Sequence, residues 1–137
     1  MRKIYFRGKD LDGNWREGDL IWATLGYGQK PMILDAFDEI DIGNNLYEVA
    51  PETVGQFTGL CDCRGQDIYE GDIVAFGDFF REHDVENEYW HGVVKWSFES
   101  ARFVLDKLEF DEDVCNDELL VIGNVYDNPE LLEAKNA

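Results

Sequence analysis

Five side chains in this sequence have soft-metal chemistry: Cys61, Cys63, Cys115, His83 and His91. A structural zinc site takes two closely spaced ligand pairs, usually Cys-x2–4-Cys, because four ligands must reach a tetrahedron around one ion. Here Cys61 and Cys63 enclose a single residue, the histidines lie eight positions apart, and Cys115 stands alone. That spacing fits thiols on a turn better than a metal centre. The acidic run at 111–118 invites a calcium reading and fails it, since counting from Asp111 places Cys115 at the third ligand position and Asn116 where the loop needs glycine. Thirty acids guarantee close carboxylate pairs, but the sequence shows no pair in opposed environments of the kind acid–base catalysis uses. No nucleophile elbow, zincin helix, phosphate loop or dinucleotide fingerprint occurs. The expectation is a non-enzyme with no catalytic residues, no metal and no cofactor.

One segment suggests contact rather than catalysis. Tyr89, Trp90 and His91 follow an acidic stretch containing Glu82, Asp84, Glu86 and Glu88. Aromatics ringed by acids suit a partner-binding hot spot. They equally suit a lid folded back over the open end of a barrel.

The elements that would position these groups are strands. Short runs rich in Val, Ile, Phe, Tyr and Trp are broken by Gly, Asn and Asp. Strands are expected at 4–6, 19–24, 32–37, 46–49, 57–60, 72–76, 92–98, 102–105 and 119–125. In the clearest, Val94, Trp96 and Phe98 alternate with Lys95 and Ser97. Ala101, Phe103 and Leu105 share a face of the next run, so the two read as a hairpin around a three-residue loop, 99–101. Helical pattern is confined to the C-terminus, where Asn128 suits an N-cap, Pro129 the first turn, and Leu131 and Leu132 the buried side. A second helical turn is expected near 51–55.

The chain also repeats itself. Asp10-x-x-Gly13, an aromatic, then Glu17-Gly18-Asp19-Leu20-Ile21 is echoed by Asp62-x-x-Gly65, an aromatic, then Glu70-Gly71-Asp72-Ile73-Val74. Asp bonding its own backbone and Gly supplying positive φ make a tight turn before each strand. From the second copy onward the order is strand, long polar loop, hairpin and closing strand. The expected fold is therefore mainly β: a small, partly open SH3-like β-barrel over 51–137, an N-terminal β-rich extension over 1–50, and a short C-terminal helix, the two parts forming either separate subdomains or one continuous domain.

Charge limits the partners. Twelve Lys/Arg against 30 Asp/Glu give −18 over 137 residues, distributed as +2 over 1–30, −8 over 31–70 and −12 over 71–137. Such a surface repels nucleic-acid phosphate and anionic lipid, so neither direct nucleic-acid binding nor membrane association is expected. Met1-Arg2-Lys3 leads into no secretory apolar core, no apolar run approaches the ~20 residues of a membrane span, and three cysteines are few for an oxidising compartment. The expected location is the cytoplasm of a bacterial host.

Long motifs tie the sequence to a family. Residues 51–60 (PETVGQFTGL), then Asp62, Gly65 and the run 68–74 (IYEGDIV), resemble the YopX-like family of phage and prophage proteins. The ending at 121–132 (VIGNVYDNPELL) and the opening at 2–7, with Trp15 and 18–21, resemble that family's tail and head. The resemblance implies a β-rich protein of temperate bacteriophage, mostly from Gram-positive hosts, and transfers no activity or site residues. The function expected is an accessory role as a protein-interaction module for a phage or host protein, with an exposed barrel edge that permits homo-oligomers. The alternative is an acidic decoy that mimics DNA and occupies a host nucleic-acid-binding protein.

Overall fold

The computed structural model describes residues 4–24, 26, 28–35, 45–76, 90–105, 108–109 and 119–133. The chain is mainly β and forms two compact units, Met1–Phe57 and Thr58–Ala137. No described helix is long and apolar enough to cross a membrane.

The first unit is an antiparallel sheet of β1 (Phe6–Lys9), β2 (Trp15–Thr24), β3 (Gln29–Leu34), β4 (Leu46–Glu48) and the first residues of β5 (Gly55–Cys61), in the order β4-β3-β2-β1-β5. Gly55 and Gln56 of β5 pair with Arg7 and Phe6 of β1. Tyr5 stacks on Phe57 at 4.5 Å. A single 3-10 turn, Pro51–Thr53, stands where a helical turn was expected. Its Thr53 Oγ1 donates to the carbonyl of Ala50 at 2.7 Å and accepts the N–H of Lys9 at 2.9 Å, lacing the turn to β1. Ile33 and Val49 are fully buried. Val49 lies against Gly8, where a Cβ would come within 2.9 Å of two of its side-chain carbons.

The second unit holds the rest of β5 with β6 (Asp67–Tyr69), and a five-stranded antiparallel sheet ordered β10-β9-β8-β7-β11. Its strands are β7 (Asp72–Phe76), β8 (Trp90–Ser97), β9 (Arg102–Leu105), β10 (Leu108–Glu109) and β11 (Leu119–Asn124). Ile68 of β6 joins Val74, Val94, Phe103, Leu105, Leu119 and Val121 in one buried cluster, with Leu60 packed against it. Each such side chain contributes about 1.5–3 kcal/mol on leaving water, which is what holds the sheet to β6. Among the described residues no ladder joins β10 to β11, so the sheets are open. The chain closes with α1, a single turn at Glu130–Glu133. Asn128 does not cap it through its side chain as expected; its Oδ1 turns back to accept the N–H of Asn124 at 3.2 Å.

The two copies of the sequence repeat share one turn and then diverge. In both, the Asp N–H donates to the carbonyl four residues on, at 2.8 Å (Asn14, Gln66), and the glycine N–H returns to the Asp carbonyl at 3.1 and 3.0 Å. In the first copy the strand then runs straight through Gly18, where a Cβ would collide with the carbonyl oxygen of Leu34. In the second copy the chain turns at Glu70-Gly71, with Gly71 at φ 88° and Tyr126 packed where its Cβ would stand. The same Glu-Gly-Asp thus serves once as a close approach between strands and once as the link from β6 to β7.

Candidate functional site

The Asp residues that open the two turns each accept three hydrogen bonds through the side chain. Asp10 Oδ1 accepts the N–H groups of Asp12 and Asn14, each at 2.9 Å, while Oδ2 accepts Arg16 Nε at 2.9 Å. The Asn14 N–H above all, opposed by burial and aided by Arg16, holds this carboxyl below its ordinary 3.8. Its hydrogen bond to Asp10 pushes the Arg16 guanidinium further up in turn. Asp62 repeats the pattern: Oδ1 accepts the N–H groups of Arg64 and Gln66 at 2.9 Å, and Oδ2 accepts Val121 N–H at 3.0 Å. Asp72 Oδ2 accepts Tyr69 N–H at 2.8 Å. Carboxylates committed in this way hold turns; they are poorly placed to trade protons with a substrate.

The soft-ligand residues do not converge. Cys61 and Cys63 are reduced, partly buried thiols, and among the described residues no three His, Cys, Asp or Glu side chains form a group that could hold a metal ion. Cys63 serves through its backbone, whose N–H donates to Leu119 O at 2.9 Å. Cys115 and His83 lie outside the described residues, as does the acidic run at 111–118.

Of the expected contact trio, Tyr89 lies outside the described residues and Trp90 opens β8 opposite Phe76. His91, opposite Ala75 on the same ladder, brings Nε2 to 3.1 Å from the carbonyl of Leu131 and so ties α1 to the sheet.

Three described cations of the first thirty residues, Arg7, Lys9 and Arg16, lie over aromatic rings. Arg16 lies 3.8 Å over the ring of Tyr47, and Arg7 and Lys9 lie 4.7 and 5.5 Å from the centre of Trp15. Aromatic faces carry partial negative charge, so these contacts stabilise the pairs and consume the basic character that the sequence suggested.

Among the described residues, the β8–β9 hairpin carries the most exposed large apolar side chain, Phe98. Ser97 pairs with Arg102 and Trp96 with Phe103, so the loop runs over 98–101 and includes Phe98, which alternation had placed on a strand. Phe98 is 91% exposed. Ser100 N–H donates to Ser97 Oγ at 3.2 Å and Ala101 adopts φ 53°, fixing the turn. Trp96 meets Phe103 edge to face at 5.0 Å and is still 38% exposed, which carries an apolar strip from the buried cluster out to the hairpin tip. The sequence signal for this site was the Glu99-Ser100-Ala101 turn directly after Phe98: a ring at the last position before a tight turn has no cross-strand neighbour to cover it. In the first unit Trp22, 53% exposed beside Ile21, is a smaller patch of the same kind.

Comparison with known proteins bears on the fold and the family. A search of curated proteins gave no match. The chain is similar to the crystal structure of protein EF1440 from Enterococcus faecalis, with 24% sequence identity, a TM-score of 0.60, and coverage of 96% of this chain and 99% of that one. That likeness concerns the fold alone. The model of the family described as YopX protein matches residues 5–133, nearly the whole length, and the chain belongs to the YopX family.

Proposed function

We propose that this YopX-family chain is a non-enzymatic accessory protein of phage or prophage, acting in the bacterial cytoplasm as a small protein-interaction module. The observation that carries the reading is the β8–β9 hairpin tip, where Phe98 is held out at 91% exposure on a fixed turn and Trp96 extends the apolar strip. An ordered aromatic gives up little conformational freedom on binding, so such rings dominate interfaces when a partner supplies a dry pocket. Reading 51–137 as an SH3-like barrel is supported by the return of β11 to pair with β7, which gives the sheet the order closing strand, first strand, hairpin. The acidic-decoy reading is favoured by the net charge of −18. Against it, Asp10, Asp62 and Asp72 are committed inside the fold.

Capture of partners from host lysate separates the two readings. An interaction module retains one stoichiometric partner at raised salt and loses it in Phe98→Ala. A decoy captures basic nucleic-acid-binding proteins at low salt only, and Phe98→Ala leaves that capture intact.

A further inference from the structure

Among the described residues strand β11 is the last of its sheet, and no described strand pairs with one side of its backbone. A row of open N–H and C=O groups is a template for another strand. Here the row is filled by the 62–65 turn. Cys63 N–H donates to Leu119 O at 2.9 Å, Val121 N–H donates to Asp62 Oδ2 at 3.0 Å, and Arg64 Nη2 donates to Val121 O at 3.0 Å. Further along, Asn124 N–H donates to Asn128 Oδ1. Asp62 cannot swing away cheaply, because its other oxygen is held by two N–H groups of its own turn and its side chain has no exposure. Three side chains (Asp62, Arg64 and Asn128) and the backbone N–H of Cys63 take the place of a neighbouring strand.

What they cover is self-complementary. Val121 directs both its N–H and its C=O to the open side, the geometry of a close antiparallel hydrogen-bonded pair. A second copy related by a two-fold axis would set Val121 opposite its own counterpart and exchange both bonds. The flanking residues 119–122 read Leu-Leu-Val-Ile, uncharged and apolar, and Ile122 is already 38% exposed. Segments of that kind add strands readily when their edge is open. Among the described residues the first copy of the turn covers no such edge. Asp10 directs its side chain to its own turn and to Arg16, and its backbone bridges Val49.

We propose that the 62–65 turn is a guard on the β11 edge, which stops that edge from pairing with β11 of a second copy. The test is sedimentation of the full chain over a range of concentrations, wild type beside Asp62→Ala, Arg64→Ala and Cys63→Pro. Arg64→Ala and Cys63→Pro each remove one hydrogen bond to β11, and proline is well tolerated at the second position of such a turn. Circular dichroism confirms that each variant is folded. Folded variants are expected to gain mass with concentration, towards twice the wild-type value, and Ile122→Lys added to each should reverse the gain by putting a charge on the edge. Should Asp62→Ala not fold, the two single-bond variants decide. Folded variants that sediment as wild type at every concentration would overturn the proposal, as would association that persists with Ile122→Lys.

Discussion

Asp62 and Asp10 occupy the same place in two copies of one turn, yet their removal should cost different amounts. Alanine at 62 deprives three N–H groups of an ionised acceptor: those of Arg64 and Gln66 at the turn, and that of Val121 in a buried bond across to β11. A buried donor left without an acceptor costs about 1–3 kcal/mol, and bonds to charged groups sit at the upper end. The Arg64 and Gln66 N–H groups are less enclosed and recover part of their loss from water. The sum for Asp62→Ala is about 3–5 kcal/mol. Asp10→Ala also releases two turn N–H groups and the Arg16 guanidinium, but those bonds are only partly buried, and the expected cost is about 1–2 kcal/mol. Urea unfolding reads both as shifts in midpoint at constant slope. Asp62→Asn should lie between them, since it keeps the shape and one acceptor oxygen. If Asp10→Ala costs as much as Asp62→Ala, or Asp62→Ala costs less than about 1 kcal/mol, the ranking by burial of the bonds is wrong.

Other perturbations follow from the same geometry. Gly18→Ala drives a methyl group into the carbonyl of Leu34 and should cost about 3 kcal/mol or more, whereas Gly13→Ala, in open space at φ 87°, should cost about 1 kcal/mol; thermal unfolding distinguishes them. The Asp10 carboxyl is held low in the folded protein, so the unfolded chain takes up that proton first as pH falls. Its stabilising effect is complete above the ordinary value of 3.8 and fades as pH drops below that towards the folded value. Stability measured from pH 6 down to about pH 2.5 should therefore fall less steeply in Asp10→Asn than in wild type. Phe98→Ala should change unfolding stability by no more than about 0.5 kcal/mol, because the ring is almost wholly in water, while abolishing partner capture.

The strands were legible because period-two alternation and turn residues are local signals. Val94, Phe103 and Leu105 are buried as the pattern required, but the expected three-residue loop would set Phe98 opposite Arg102, whereas a four-residue loop sets Ser97 there and so pairs Trp96 with Phe103 and Val94 with Leu105. Both Asp-x-x-Gly turns were legible for the same reason. What each turn touches was not. Nothing local distinguishes Gly18, inside a ten-residue strand, from Gly71 at a chain reversal, because the difference lies in Leu34 and Tyr126, far along the sequence. The contact of the 62–65 turn with β11 spans 59 positions and left no mark on composition or period. Alternation also carried Phe98 one residue too far into β8, since periodicity does not mark where a strand stops and its last ring loses cover. The His91 imidazole holds α1 to the sheet through the Leu131 carbonyl, a bond that a short helix 40 positions away makes invisible in sequence.

The proposed interaction through the hairpin tip is tested most directly by a photo-crosslinking residue placed at position 98, irradiated in the host cytoplasm, with the same residue at Leu11, 74% exposed in the other unit, as reference. The expected result is one dominant protein adduct from position 98, formed equally at low and raised salt and missing from position 11. Adducts that are the same from both positions, or that disappear from position 98 as salt is raised, would contradict it.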